Sequence, residues 1–175
     1  PTMDSQLKRL LEPRVPAAES RFRLIDDLHK SGVPVSLLMA PIIPAINDRE
    51  IESIVANAAA RGVSHAHYIF LRLPHEVSEL FQQWLATHMP DRAAHVMSLI
   101  RQASGGKDYD ARFGLRQSGR GAYAEMIAQR FAAACRRSGI ENNRPRQVLD
   151  CTQFRPPGPH QQSFDLGQAP EAGRK

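Results

Sequence analysis

Two short apolar runs, VPVSLLM at 33–39 and HAHYIFLRL at 65–73, stand on either side of one amphipathic stretch, and that arrangement narrows the fold more than anything else in the chain. VPVSLLM lacks the polar alternation of a half-exposed strand, so it reads as a strand covered on both faces. Between the runs, Asn47 followed three residues later by Glu50 reads as a capping box. Ile51, Ile54, Val55, Ala58 and Ala59 then make one apolar stripe, which stops at Gly62. Ahead of the first run, residues 16–30 carry Phe22, Ile25 and Leu28 at helical spacing, with Pro16 suited to a first turn and Gly32 to the left-handed position beyond the last. Helix, strand, helix, strand in about 60 residues is the rhythm of βαβ units, whose strands pair in parallel. Pro74 ends the second strand.

Two parallel strands cannot bury both faces of a sheet. The expected fold is therefore α/β and incomplete: the C-terminal half of a partial (β/α) TIM-like barrel with parallel strands, followed by a helical extension. Its open sheet edge calls for a partner, either another chain or a missing N-terminal half. The opening PTMD, with no initiator methionine, reads as the continuation of something longer. The half-barrel units span 1–74 and the helical extension 75–140. Within the extension Val77, Leu80, Phe81, Trp84 and Leu85 form an amphipathic stripe, Asp91 can cap a following helix, and residues 122–138 carry Tyr123, Ile127, Phe131 and Ala134 on one face. From 141 to 175 proline, glutamine, glycine and arginine dominate, which predicts a disordered tail.

Of the 175 residues 42% are hydrophobic, enough for a real core, and the net charge of +5 permits an acidic partner such as nucleic acid without singling one out. The only cysteines, Cys135 and Cys151, are far apart and form neither a disulfide framework nor a CxxC metal pair. No apolar run approaches the ~18 residues of a membrane span and no signal peptide is visible, so the expected location is cytoplasmic, with no membrane contact.

The stretch MAPIIPAIND, 39–48, raises the functional question. In parallel α/β folds ligands sit at the carboxyl ends of strands, where loops converge and helix N-termini point free N–H groups at the site. Pro41 and Pro44 stiffen this segment at that place. Ile42 and Ile43 cannot both face one core from an extended backbone, so one is offered to an occupant of the mouth, such as a flat purine ring, or else packs under a neighbouring loop.

The order and spacing of LEPR at 11–14, PAAESRFRLIDDLHKSGVPV, PIIPAIND, YIFLRLPHEV and PDRAAHVMSLIRQASGGKDYDARFG resemble the C-terminal half of a radical S-adenosylmethionine (SAM) protein of the spore photoproduct lyase-like, or DNA repair photolyase-like, branch. The resemblance covers residues 2 to about 140 and implies a partial or complete barrel. In a complete member a CxxxCxxC loop holds a [4Fe-4S] cluster by three cysteines, and SAM at its fourth iron yields a 5′-deoxyadenosyl radical, in this branch directed at DNA lesions. It further implies that residues 41–48 stand for a GxIxGxxE motif. Ile43, beside Ile42, then faces adenine and Asp48 takes the acidic position, while Pro41 and Ala45 replace glycines. A left-handed backbone at Ala45 would resist its Cβ. Thr2 would meet the SAM ribose, Arg14 and Arg21 are candidates for the methionyl carboxylate, and Arg72 lies where adenine is contacted. The cluster motif is missing, so no cluster is expected on this chain and no activity from it alone.

Other signals admit plainer readings. His65 and His67 share a strand face but have no third metal ligand nearby in sequence, and GGK at 105–107 lacks the frame of a phosphate loop. Arg21 could pair with Glu12 or Glu19 instead. Arg112, Arg116 and Arg120 with Tyr109, Phe113 and Tyr123 could present a basic aromatic surface to DNA, or form a solvated loop. The competing functional class is a non-catalytic α/β module that binds a partner chain or nucleic acid through its open edge.

Overall fold

A computed structural model of the chain describes residues 1–112, 116–142, 152 and 155. The chain divides into two units, Pro1–Asn143 and Arg144–Lys175, and the helices and strands lie in the first. The greater part of the tail expected from 141 onward, with Cys151, and also Phe113 of the arginine loop, lies outside the described residues.

The described residues form six α-helices and a two-stranded parallel sheet in the order α1 (Ser5–Leu11), α2 (Ala18–Lys30), β1 (Ser36–Ile42), α3 (Ile51–Ala59), β2 (His65–Phe70), α4 (Glu76–His88), α5 (Pro90–Ala103) and α6 (Gly121–Arg137). A single 3-10 turn, Asp48–Glu50, leads into α3. The parallel βαβ arrangement expected from the two apolar runs is present, but the described residues form no barrel. Sequence spacing places the first strand at 33–39; β1 starts and ends three residues later and takes in Pro41. Its register with β2 runs evenly from Ser36–His65 to Met39–Tyr68 and then slips before Ile42 meets Phe70, at the place where proline has no N–H to give a ladder. No helix was expected at Ser5–Leu11; Asp4 starts it by accepting from the amides of Gln6 and Leu7.

Among the described residues the sheet is packed on one face, which corrects the reading of β1 as buried on both. Side chains alternate across a strand. Met39, Ala66 and Phe70, with Leu37 and Tyr68 less deeply placed, point into a core built with α3 (Ile51, Ile54, Val55, Ala58) and α6 (Ile127, Phe131, Ala134). The opposite face carries Leu38, 57% exposed, with His65, His67 and Ile69 half-buried. The two edges also differ. The outer edge of β2 donates from Ala66 N to the Glu141 carbonyl and from Phe70 N to the Gln117 carbonyl, whereas no strand lies on the outer edge of β1 among the described residues. α6, from the expected helical extension, shares this core with β1, β2 and α3.

A second core lies at the carboxyl ends of the strands. Ile43, Ile46 and Leu73 are packed there beneath Leu7 of α1, Leu85 of α4, and Val96, Met97 and Ile100 of α5. Trp84 lies at its rim, its ring stacked on Phe81 and its indole N–H donated to the Leu10 carbonyl at 3.3 Å.

Candidate functional site: the strand-tip loop

The segment from Ala40 to Glu50 leaves the end of β1, passes through the cis Ala40–Pro41 peptide and turns at Ala45, whose φ of 55° is left-handed. An L-residue pays about 1–2 kcal/mol for that conformation because its Cβ crowds the following carbonyl. The sequence marks Ala45 as the position where left-handed geometry would be costly, and the backbone adopts it nonetheless. The compensation comes from side chains on both sides of the loop.

Asn47 supplies one brace. Its spacing to Glu50 suggested a helix cap, but no cap bond forms, and the side chain is instead almost fully buried across the loop. Its Oδ1 accepts from Ile43 N at 2.7 Å, and its Nδ2 donates to the carbonyls of Pro1 at 2.9 Å and Pro41 at 3.0 Å. A side-chain amide suits this role because it accepts on one side and donates twice on the other.

The second brace comes from α6. The Tyr123 hydroxyl donates to Asp48 Oδ2 at 2.6 Å and accepts from Ala45 N at 3.3 Å. Arg130, two turns further along α6, donates to the Asp48 carbonyl at 3.1 Å and makes a two-pronged contact with Glu52 at 2.8 and 2.9 Å. Burial, then the bond to Asp48, push the Tyr123 phenol far above its ordinary range, so it stays a donor at any working pH. Arg130's hydrogen bonds hold the Glu52 carboxyl below its usual value. Neither Tyr123 nor Arg130 stood out as a partner of the loop in the sequence, because they lie 75 and more residues away from it.

The residues assigned to SAM are only partly brought together. Thr2 is buried beside the loop through the Pro1–Asn47 bond, but its Oγ1 accepts from Asp4 N at 3.1 Å. Ile42 faces the sheet core and Ile43 the second core, so neither is offered to an occupant: the two isoleucines diverge because two separate cores flank the strand end. Asp48 is engaged by Tyr123 and Arg130. Arg14 is exposed, and Arg21 lies 3.5 Å from Glu12, which is the plainer of its two readings. Arg72, at the end of β2, donates to the Tyr109 hydroxyl at 3.0 Å and lies over its ring, with its Nε buried and lacking a hydrogen-bond partner among the described residues.

Several described side chains of the arginine loop have partners within the chain. Tyr123 turns inward, Tyr109 is taken by Arg72, and Arg112 is paired with Asp110 at 2.6 Å. His65 contacts Ser64 and Glu141. Among the described residues no three His, Cys, Asp or Glu side chains are grouped to hold a metal ion, and Cys135 is buried in the sheet core. With two cysteines in its sequence, the chain cannot supply the three thiolates such a cluster needs. No described helix is long and apolar enough to cross a membrane.

Beside the free edge of β1 lies an apolar groove of about 300 Å³, lined by Leu37 and Leu38 of β1, Phe22, Leu24 and Ile25 of α2, and Met3. Comparison with known proteins finds nothing that matches the chain: no family model, no curated protein and no solved structure.

Proposed function

We propose that this chain is a strand-completing part of a radical SAM-type α/β domain, which supplies two parallel strands, the loop at their carboxyl ends and its helical cover. The remaining strands and the cluster come from other polypeptide. The observation that carries the reading is the sheet of the described residues: one face packed on helices, the other carrying the exposed Leu38 with half-buried neighbours, and the outer edge of β1, on which no described strand lies, bordered by the apolar groove. That is the condition of a segment cut from a barrel, where helices cover the outside and the inner face meets other strands and ligand. The left-handed turn at Ala45, where the resembled motif has glycine, supports it too.

On this reading the chain alone makes no radical and holds neither cofactor. Thr2 and Asp48 already have partners, and Ile43 lies inside the second core. Those same contacts favour a second reading, a non-catalytic module whose activity is to pair its open edge with another chain.

Two measurements separate the readings. The coding sequence 5′ of Pro1 is expected to contain CxxxCxxC within about 150 residues, the scale of one domain. The two pieces expressed together, reconstituted anaerobically with iron and sulfide, are expected to show [4Fe-4S] absorbance and saturable SAM binding, with neither from this chain alone. An uninterrupted upstream sequence without the cysteines sinks the radical SAM reading in favour of the module. A stable cluster on the chain by itself contradicts both.

A further inference from the structure

The strand-tip loop combines a left-handed alanine with a hydrogen bond to that same residue's amide from a helix distant in sequence. We infer that the Tyr123 hydroxyl is a latch, holding residues 43–48 in their strained course and keeping Ile43 inside the second core, so that the placement of α6 sets the conformation of the strand tips. The bond to Asp48 is charge-assisted and part-buried, and charge-assisted bonds are the stronger kind. Its oxygen simultaneously takes the Ala45 amide, which the left-handed turn points toward α6. Arg130 fixes the far end of the same loop through the Asp48 carbonyl, and Glu52 fixes Arg130. The Tyr123 ring keeps an independent anchor, edge-on to Phe70 at 6.5 Å, so loss of the hydroxyl alone leaves α6 packed.

The mechanical claim stands on these contacts; its consequence for a ligand rests on the radical SAM reading. If a nucleoside is to meet Ile43, the latch must first release, and whatever displaces α6 then controls access.

The test uses the chain as it is, without SAM. In Tyr123→Phe, amide hydrogen exchange at Ile43, Ala45 and Asn47 is expected to speed up about tenfold, while that of α3 keeps its wild-type rate. A uniform acceleration across the chain, or none in the loop, overturns the latch. The second arm is a double-mutant cycle. Ala45→Gly relieves the strain only while the strain exists, so it is expected to raise the folding equilibrium constant about threefold in the wild type and not at all with Tyr123→Phe. Equal gains in both backgrounds overturn the proposal. Should Tyr123→Phe fail to fold, Asp48→Asn, which weakens the same bond and keeps the ring, carries both comparisons. Because none of these readouts involves a cofactor, the latch can fail while the radical SAM reading stands, and the reverse.

Discussion

Asn47 shows how one residue type can be legible and its task not. A capping box needs Asn or Ser followed by Glu three residues later, and the chain has that pattern, yet the amide is turned into the loop, where it bonds two carbonyls and one amide. Asn47→Ala would remove one buried and two part-buried bonds, and is expected to destabilise the chain by about 1–3 kcal/mol, read as a lower urea midpoint with unchanged slope. Asn47→Asp is expected to do no better: it keeps the acceptor for Ile43 N but sets a carboxylate against the Pro1 and Pro41 oxygens. A mere cap would tolerate that exchange, since Asp and Asn cap about equally well. The isoleucines follow the same logic. Alternation along an extended segment correctly separates Ile42 from Ile43, but only the packing of α1, α4 and α5 reveals that a second core awaits the latter.

At the scale of elements, α4 and α5 are held to the loop after them by Asp108. Its carboxylate accepts from Arg101 at 2.6 Å, Ser78 at 2.7 Å and Gln82 at 3.2 Å, and the Arg101 bond first, then the Ser78 bond, lower its pKa. A carboxyl depressed in the fold contributes stability that is present above its unfolded pKa, about 3.9, and lost as pH falls through the folded value. The urea midpoint is therefore expected to fall steeply below about pH 4, and Asp108→Asn to lower it at pH 7 while flattening that acid limb. An unchanged acid limb would remove Asp108 from this role. The helices themselves were readable from spacing: the stripes at 77–85 and 122–138 coincide closely with α4 and α6. Their partners were not, since periodicity tells which face is buried without telling against what. Asp91 suits a helix cap by its position in the sequence, yet α5 begins on Pro90 without a side-chain cap, because proline's fixed φ starts a first turn unaided.

At the scale of the whole molecule the free edge dominates. Leu38 and Leu24 are each 57% exposed beside the outer edge of β1, on which no described strand lies, a surface that invites pairing with another chain. The isolated chain is expected to self-associate as its concentration rises in sedimentation experiments, and Leu38→Lys to suppress this with little effect on thermal unfolding, because the side chain it replaces contributes nothing to either core. Association that persists undiminished in Leu38→Lys would place the sticky surface elsewhere.

By itself the sequence determined five of the six described helices, both strands, their parallel βαβ order and the absence of a cysteine triplet, because each follows from spacing within a few dozen residues. Only the tertiary structure decided which sheet face stays uncovered, that Ile43 turns inward, and that Tyr123, Arg130 and Asn47 hold the strand-tip loop. Those outcomes depend on contacts between residues far apart in the chain, where a strained alanine is kept in place by hydroxyl, guanidinium and amide groups whose reach no periodicity encodes.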